Sequence, residues 1–447
     1  MRHLNRVMGL GFFLLSFTTA LYAQDQPSVK LDKPLKSVVI DSVVQALCRY
    51  YVYPDLAVAM GAHLKSQMNQ GVYNTITDPH RLAQWLSQEV LKIHPDKHLS
   101  IRYDPALEKR IHAFNQDPHV NRNANPGEQR RNFFFKQAAI LPGNLGYIDF
   151  TNFADTSTLA RNTVRAALQF VAYTDALVID LRNNGGGNAV MASEMIRYFF
   201  NAPTLLGRSY SRITNTWTES WATPDAAVTH GLYVGMPLFL LTSKRTFSAA
   251  EGLTYTLQQL RKATVVGDTT QGGAHLTRSF ALGNGFVGFI PYSRGEHVLT
   301  KTDWEQVGVV PDVVTDEEQA LTKAQQHYWL SRLRTAASEE EQRKIRWQLN
   351  RLRAELFPVS LPVPVLSRYV GQFEEFVFTI QEGQLISTNR NRKGKKDKLI
   401  PLSPTLFQLD TESQVEFIKD THGKFTRMKL LFDDGWEGIL SKTSLPR

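Results

Sequence analysis

Between residues 37 and 94 the apolar positions recur at helical spacing. Val38, Val39, Val43, Val44 and Leu47 form one stripe. A second stripe, Leu82, Trp85, Leu86, Val90 and Leu91, follows Asp78–Pro79, a cap residue with proline in the first turn. The chain then turns at Pro95, and a strand is predicted over His98–Tyr103. Residues 104–130 are polar and rich in Asn and Pro, which reads as a loop or linker. From about 131 the pattern changes. FFFKQAAIL and LGYIDF read as strands, and Thr156–Tyr173 as an amphipathic helix. Ala176–Leu181 is a continuous apolar run, typical of a buried parallel strand. A glycine-rich turn and a helix near Ala189–Phe200 follow it. Pro237–Ser243 is a second such strand, with a helix from about Ser248 to Leu260, and Thr264–Gly267 is a third. Strands alternating with helices predict an α/β core.

Residues 315–356 are strongly charged, with many pairs spaced i, i+4, and read as an exposed connecting helix or helical pair. From 358 the β pattern returns in FVFTI, LFQL, VEFI and RMKLLF, separated by Gly and Asp turns. The expected organisation is a signal peptide at 1–23 and a helical N-terminal domain at 24–104. An α/β core at 105–315, a helical connector at 316–357 and a small β domain at 358–447 follow.

Composition narrows the function. A chain of 447 residues suggests two or three domains. With 42% hydrophobic and 21% charged residues it has the balance of a globular protein. The 51 basic residues exceed the 42 acidic ones by +9, spread along the chain and without a nucleic-acid motif, so no nucleic-acid partner is expected. Cys48 is the single cysteine. That excludes an internal disulfide, a cysteine-rich zinc site and an iron–sulfur cluster. It sits in VVQALCRYY, where core packing is the expectation. At the N-terminus, Arg2 and Arg6 precede an apolar run from Val7 to about Tyr22, and Ala23 suits the last residue before cleavage. This reads as a secretory signal, and the run is short for a spanning helix. Its removal lowers the net charge from +9 to +7. The mature protein is expected in a bacterial periplasm or outside the cell, without stable membrane insertion.

Three segments carry candidate chemistry. In LVIDLRNNGGG (177–187) a buried strand ends in a run of three glycines. Their N–H groups can face outward and hold an anion or a developing oxyanion. The run lacks GxGxxG and a following Lys-Ser/Thr, which argues against a nucleotide loop. In TSKRTFSAAEGLTYTLQQL (242–260) Ser248 falls at a helix start, where the helix dipole favours negative charge, and small Ala249 and Ala250 follow. Ser243 and Thr246 are rival hydroxyls, and N-capping is the plain alternative role for Ser248. A serine nucleophile needs a base. His98 in HPDKHLSI and His275 in QGGAHLT both qualify. A His94–His98 metal pair is disfavoured because Pro95 breaks the helix that would align them. The third segment, TDWEQVGVVPDVV (302–314), offers Glu305 as an acid to orient an imidazole.

LVIDLRNNGGG, TSKRTFSAAE, VVGDTTQGGAH and DWEQVGVVPD, in this order, resemble the C-terminal-processing (tail-specific) serine peptidase superfamily. The resemblance covers roughly residues 35–315 and is to the branch of the tricorn core protease and the interphotoreceptor retinoid-binding protein modules. It implies a ClpP/crotonase-like α/β peptidase core with a helical N-terminal domain and a small C-terminal β domain. Members with a PDZ domain use a lysine base after the VVG strand. Here TTQGGAH has no lysine, and 104–130 is too short for a PDZ domain. The resemblance therefore implies Ser248 as nucleophile, His98 as base and Glu305 as orienting acid. The implied oxyanion donors are the N–H groups of Ala249 and of a glycine in 185–187, Gly185 or Gly186 foremost. His275 is expected beside the site or facing substrate. The tricorn pattern has a serine just before its histidine; Lys97 stands there, and Ser100 lies two residues beyond His98 as a substitute. The implied reaction is peptide hydrolysis through an acyl-enzyme, on a peptide or protein substrate, with no metal or organic cofactor and the oligomeric state open. The alternative is a non-catalytic module for a small apolar ligand or peptide, like the retinoid-binding members. YVGQFEE, LIPLSPTLFQL and VEFIKDTHGKFTRMKLLF resemble a small β domain attached to many secreted bacterial hydrolases. There the basic NRNRKGKKDK (389–398) reads as a solvated hairpin tip or as a contact for an acidic surface polymer.

Overall fold

A computed structural model describes residues 31–116, 126–225, 233–392 and 394–443. The expected signal segment, 1–23, lies outside the described residues. Helices α1 (Lys33–Tyr50), α2 (Pro54–Asn69) and α3 (Pro79–Ile93) open the fold. The Asp78 side chain accepts from Arg81 N, and Pro79 fills the first turn of α3. Residues 104–116, expected as loop, instead carry helix α4 (Pro105–Gln116). Asp104 accepts from Leu107 N at 2.8 Å, repeating the Asp-Pro start of α3. A single-turn helix, α5 (Pro126–Gln129), follows.

The central sheet has the order β11-β8-β7-β4-β3-β2. Its strands are β2 (Phe135–Leu141), β3 (Leu145–Phe150), β4 (Ala176–Asp180), β7 (Leu238–Thr242), β8 (Thr264–Gly267) and β11 (Val313–Val314). All neighbours are parallel except β2 and β3. The inner strands β4 and β7 are buried on both faces, which is why they read as unbroken apolar runs. Leu177, Ile179, Leu238 and Leu240 pack with helices α6 (Thr158–Phe170), α7 (Ala189–Ile196) and α8 (Ala249–Gln259). Ala176, Val178, Phe239 and Leu241 face the other way. There they meet the helical hairpin of α9 (Ala320–Thr335) and α10 (Glu339–Leu356).

That hairpin corrects the expectation of an exposed connector. Ala320, Ala324, Tyr328, Trp329, Ile345 and Leu352 are buried and close the second face of the sheet. None of its charged residues is buried, and Arg343 donates to Gly435 O in the C-terminal β domain.

A second sheet has the path β1-β10-β5-β6, with β9 paired to β10. It comprises β1 (Ser100–Tyr103), β5 (Thr204–Ser211), β6 (Thr216–Ala222), β9 (Leu276–Gly283) and β10 (Phe286–His297). Helices α1–α3 share one hydrophobic cluster with Leu282, Phe286 and Ile290 of this sheet. The helical region is thereby anchored to strands that lie in sequence between β8 and β11 of the central sheet. Residues 371–443 form an antiparallel nine-stranded sheet around Phe373, Phe378, Phe407 and Phe417. Among the described residues no helix is long and apolar enough to cross a membrane.

Candidate active site

Three loops meet at the carboxyl ends of β4 and β7, where open α/β sheets bind their ligands. The first continues β4 through residues 181–188. Asn184 is fully buried; its amide donates to Phe150 O, and its carbonyl oxygen accepts Gly186 N. Gly186 has φ +100°, and a Cβ there would lie 2.7 Å from Ser248 Cβ and 2.8 Å from Phe247 O. Only glycine permits so close an approach to the second loop.

That second loop, 243–248, is tied to the first by the two rival hydroxyls. Ser243 Oγ donates to Arg182 O at 2.6 Å, and Thr246 Oγ1 to Leu181 O at 2.7 Å. Both residues are buried, so neither hydroxyl is free to attack. Ser248 stands alone at the start of α8 with φ 55° and ψ −119°. This sharp strand-to-helix turn holds a non-glycine residue at positive φ, and it does so without a G-x-S-x-G sequence. Its Oγ lies 3.0 Å from His98 Nε2.

His98 comes from the turn between α3 and β1. The strand was expected to begin at His98, but the structure starts it at Ser100. The alternation that would set Ser100 on the face of His98 is therefore absent. Asp96 makes the turn: its Oδ1 accepts His98 N at 3.0 Å, and its main-chain carbonyl accepts Leu99 N. Phe247 stacks on the imidazole with ring centroids 4.5 Å apart. Burial, with the charge of His275, outweighs Asp96 and lowers the His98 pKa to about 4. The ring is therefore neutral, as a general base must be. Lys97 turns away and donates to Gln271 O.

Glu305, from the loop after β10, accepts Ala274 N through Oε2 at 2.6 Å. Its Oε1 is buried and has no hydrogen-bond partner, and the same holds for Nδ1 of His98. A ring nitrogen of His98 and carboxylate oxygens of Asp96 and Glu305 all lie within 4.8 Å of one another. Such a set could suggest a metal. However, both oxygens of Asp96 already accept hydrogen bonds, from His98 N, His275 Nδ1 and Tyr51 OH. The unmatched pair is one imidazole nitrogen and one carboxylate oxygen, which suits hydrogen bonding between them.

Of the expected oxyanion donors, two are engaged. Gly185 N donates to Thr151 O and Gly186 N to the Asn184 side chain, so these N–H groups are committed to holding the loop. Ala249 N has no acceptor among the described residues. Gly187 pairs with Phe153 in an isolated parallel bridge whose bonds run through Gly186 O and Asn188 N. The N–H of Gly187 therefore faces away from Phe153 and is the uncommitted one of the glycine run.

Sequence reasoning missed Glu251. This fully buried carboxylate accepts from Ser248 N (2.8 Å), Thr270 Oγ1 (2.5 Å), Gly272 N (2.6 Å) and Gly273 N (2.9 Å). It joins the Ser248 backbone to the loop that leads to His275. The signal was present: Ser248 with Glu251 three residues on is the spacing of a capping box. His275 is buried, with Nδ1 2.7 Å from Asp96 Oδ2 and 3.6 Å from Glu305 Oε2.

Residues 144–315 match the model of peptidase family S41. Residues 29–136 match the model of the N-terminal domain of peptidase S41 in eukaryotic IRBP. The chain is 28% identical over 181 residues to carboxyl-terminal-processing peptidase 2, chloroplastic, of Arabidopsis thaliana, covering 38% of this chain and 33% of that one. It is 29% identical over 182 residues to a carboxyl-terminal-processing protease of Synechocystis, covering 39% of each. The chain thus spans less than two fifths of the length of the curated relatives it matches. Solved structures that align with it include a lipoprotein from Streptococcus agalactiae. That alignment has a TM-score of 0.45 and 14% identity, over 66% of this chain and 96% of that one. The photosystem II D1 C-terminal processing protease aligns with a TM-score of 0.41 and 16% identity, over 63% and 94%. By the two family models, covering 29–136 and 144–315, this chain belongs to peptidase family S41.

Proposed function

We propose that this chain is a secreted serine peptidase that cleaves peptide bonds through an acyl-enzyme. The observation that carries the reading is the 3.0 Å contact between His98 Nε2 and Ser248 Oγ at the N-terminus of α8. In the proposed first step His98 takes the proton of Ser248 as Oγ attacks the substrate carbonyl. Glu305, whose Oε1 is free, orients the imidazole and stabilises its charged form. Ala249 N–H and Gly187 N–H receive the oxyanion, aided by the dipole of α8. His98 then protonates the leaving amine, and water clears the acyl group by the same route. Export rests on Arg2, Arg6 and the apolar run to about Tyr22.

A peptide library incubated with mature protein and with Ser248→Ala, read by mass spectrometry, tests this. Cleavage products with wild type and none with the variant are expected. Products unaffected by the variant, or none from folded wild type, overturn the reading; the latter leaves a binding module.

A further inference from the structure

Beneath the Ser248–His98 pair lies a second histidine that the mechanism leaves without a task. The His275 side chain has no solvent exposure and sits between two carboxylates. Its Nδ1 is 2.7 Å from Asp96 Oδ2 and 3.6 Å from Glu305 Oε2, while Nε2 is 3.3 Å from Tyr53 OH. Both ring nitrogens therefore face oxygen, as an imidazolium requires. The two carboxylates come within 4.8 Å of each other, and buried like charges at that range do not both stay ionised unaided. Yet Asp96 and Glu305 have separate duties: one shapes the turn that carries His98, and the other faces the imidazole as its acid.

We propose that His275 is held as an imidazolium between Asp96 and Glu305, and that its charge keeps Glu305 ionised as the acid for His98. It is a positioning residue, acting through Glu305 and touching no reacting atom. The proposal rests on the serine peptidase reading above.

The surroundings agree. Burial opposes a charged His275, but the hydrogen bond and charge of Asp96, with the charges of Glu305 and Asp303, outweigh it and raise the imidazole's pKa. Burial leaves the Glu305 pKa raised above the ordinary carboxylate value, and His275 is the strongest influence pulling it back. The titratable or charged groups facing this cluster are Asp96, His94 and His98 from the α3–β1 turn, Tyr51 and Tyr53 from the α1–α2 turn, Asp303 and Glu305 from the loop after β10, and Arg294 from β10. Arg294 stands apart, its guanidinium 5.9 Å from the centroid of the Tyr53 ring. Among the described residues, the ring nitrogen that approaches both carboxylates as an ion-pair partner is Nδ1 of His275.

The test combines two readouts on the full mature chain. In His275→Gln, fluorophosphonate labelling of Ser248 is followed from pH 5 to 9. Gln can still donate to Asp96 but carries no charge. Glu305 then ionises only at higher pH, so the acid limb should move up by about one pH unit or more. The expected loss is above tenfold near pH 6 and below about threefold at pH 9. A uniform loss at every pH, or no loss, overturns the proposal.

Imidazole nitrogen NMR on 15N-histidine-labelled wild type does not depend on the variant folding or on activity. His275 should carry protons on both nitrogens at pH 7, and a neutral ring overturns the proposal. Wild type that folds but never labels at Ser248 sinks the peptidase reading instead, while the NMR result still reports the charge of His275.

Discussion

Glu251→Gln is the substitution that tests how Ser248 is held. The Glu251 carboxylate has two oxygens and four donors: Ser248 N and Gly273 N on Oε2, Thr270 Oγ1 and Gly272 N on Oε1. Glutamine replaces one oxygen with an amide NH2. Whichever oxygen goes, two buried donors lose their acceptor and face hydrogens. A hydrogen bond to a charged group contributes about 1.5–3 kcal/mol, so two such losses amount to roughly 3–5 kcal/mol after partial relaxation. This exceeds the ~1–3 kcal/mol typical of a strained backbone such as that of Ser248, so the elbow at φ 55° should relax. Hydrogen exchange reads the effect locally. At about 1.4 kcal/mol per decade, protection of the 246–249 and 270–273 amides should fall by about 100-fold or more. The labelling rate at Ser248 should fall on the same order while the C-terminal sheet keeps its protection. Exchange within threefold of wild type in these segments, with an unchanged labelling rate, would refute the reasoning.

Other outcomes follow from the same geometry. Gly273→Ala would set a Cβ 2.2 Å from Phe247 Cε2 and 2.8 Å from His98 Cε1, so it should displace the imidazole and cost at least about tenfold in labelling; a fully active variant contradicts that packing. Thr246→Val removes the hydroxyl that accepts Ser243 N and donates to Leu181 O; Leu181 O keeps the Asn184 N–H, but the buried Ser243 N is left unmatched, at about 1–3 kcal/mol in chemical unfolding of the core. With its pKa lowered to about 4, His98 stays neutral between pH 4 and 6.5, and it is lost as a base only as the pH falls through about 4. Labelling of wild type should therefore persist below pH 6, and a midpoint near the ordinary imidazole value of about 6.5 would contradict the burial argument.

The parallel strands were legible because burial on both faces leaves an unbroken apolar run, as in Ala176–Leu181 and Pro237–Ser243. The β5–β6 hairpin was not. In TWTESWA every residue but Ala222 is exposed, so no alternation marks the strand. Helices α9 and α10 were visible as helices, but their buried stripe of Ala320, Ala324, Tyr328 and Trp329 is sparse among charges. Their role as the second cover of the sheet was therefore hidden. In the site, Ser248 could be found from its strand–turn–helix setting and His98 from its turn. Asp96 was not singled out, because its partner His275 is 179 positions away. Glu251 was passed over, because Gly272 and Gly273 complete its shell from 21 and 22 positions on. Gly187 over Gly185 and Gly186 as the free donor depends on where each N–H points, which spacing alone does not encode.

The central claim is that Ser248 is activated by His98. Mature protein is treated with a fluorophosphonate at pH 7 and the adduct is located by peptide mass spectrometry, beside Ser248→Ala and His98→Ala. The account predicts one adduct, on Ser248, absent from the serine variant and slowed by at least about 100-fold in the histidine variant. Labelling of another residue, or a His98→Ala protein that labels as fast as wild type, would contradict it.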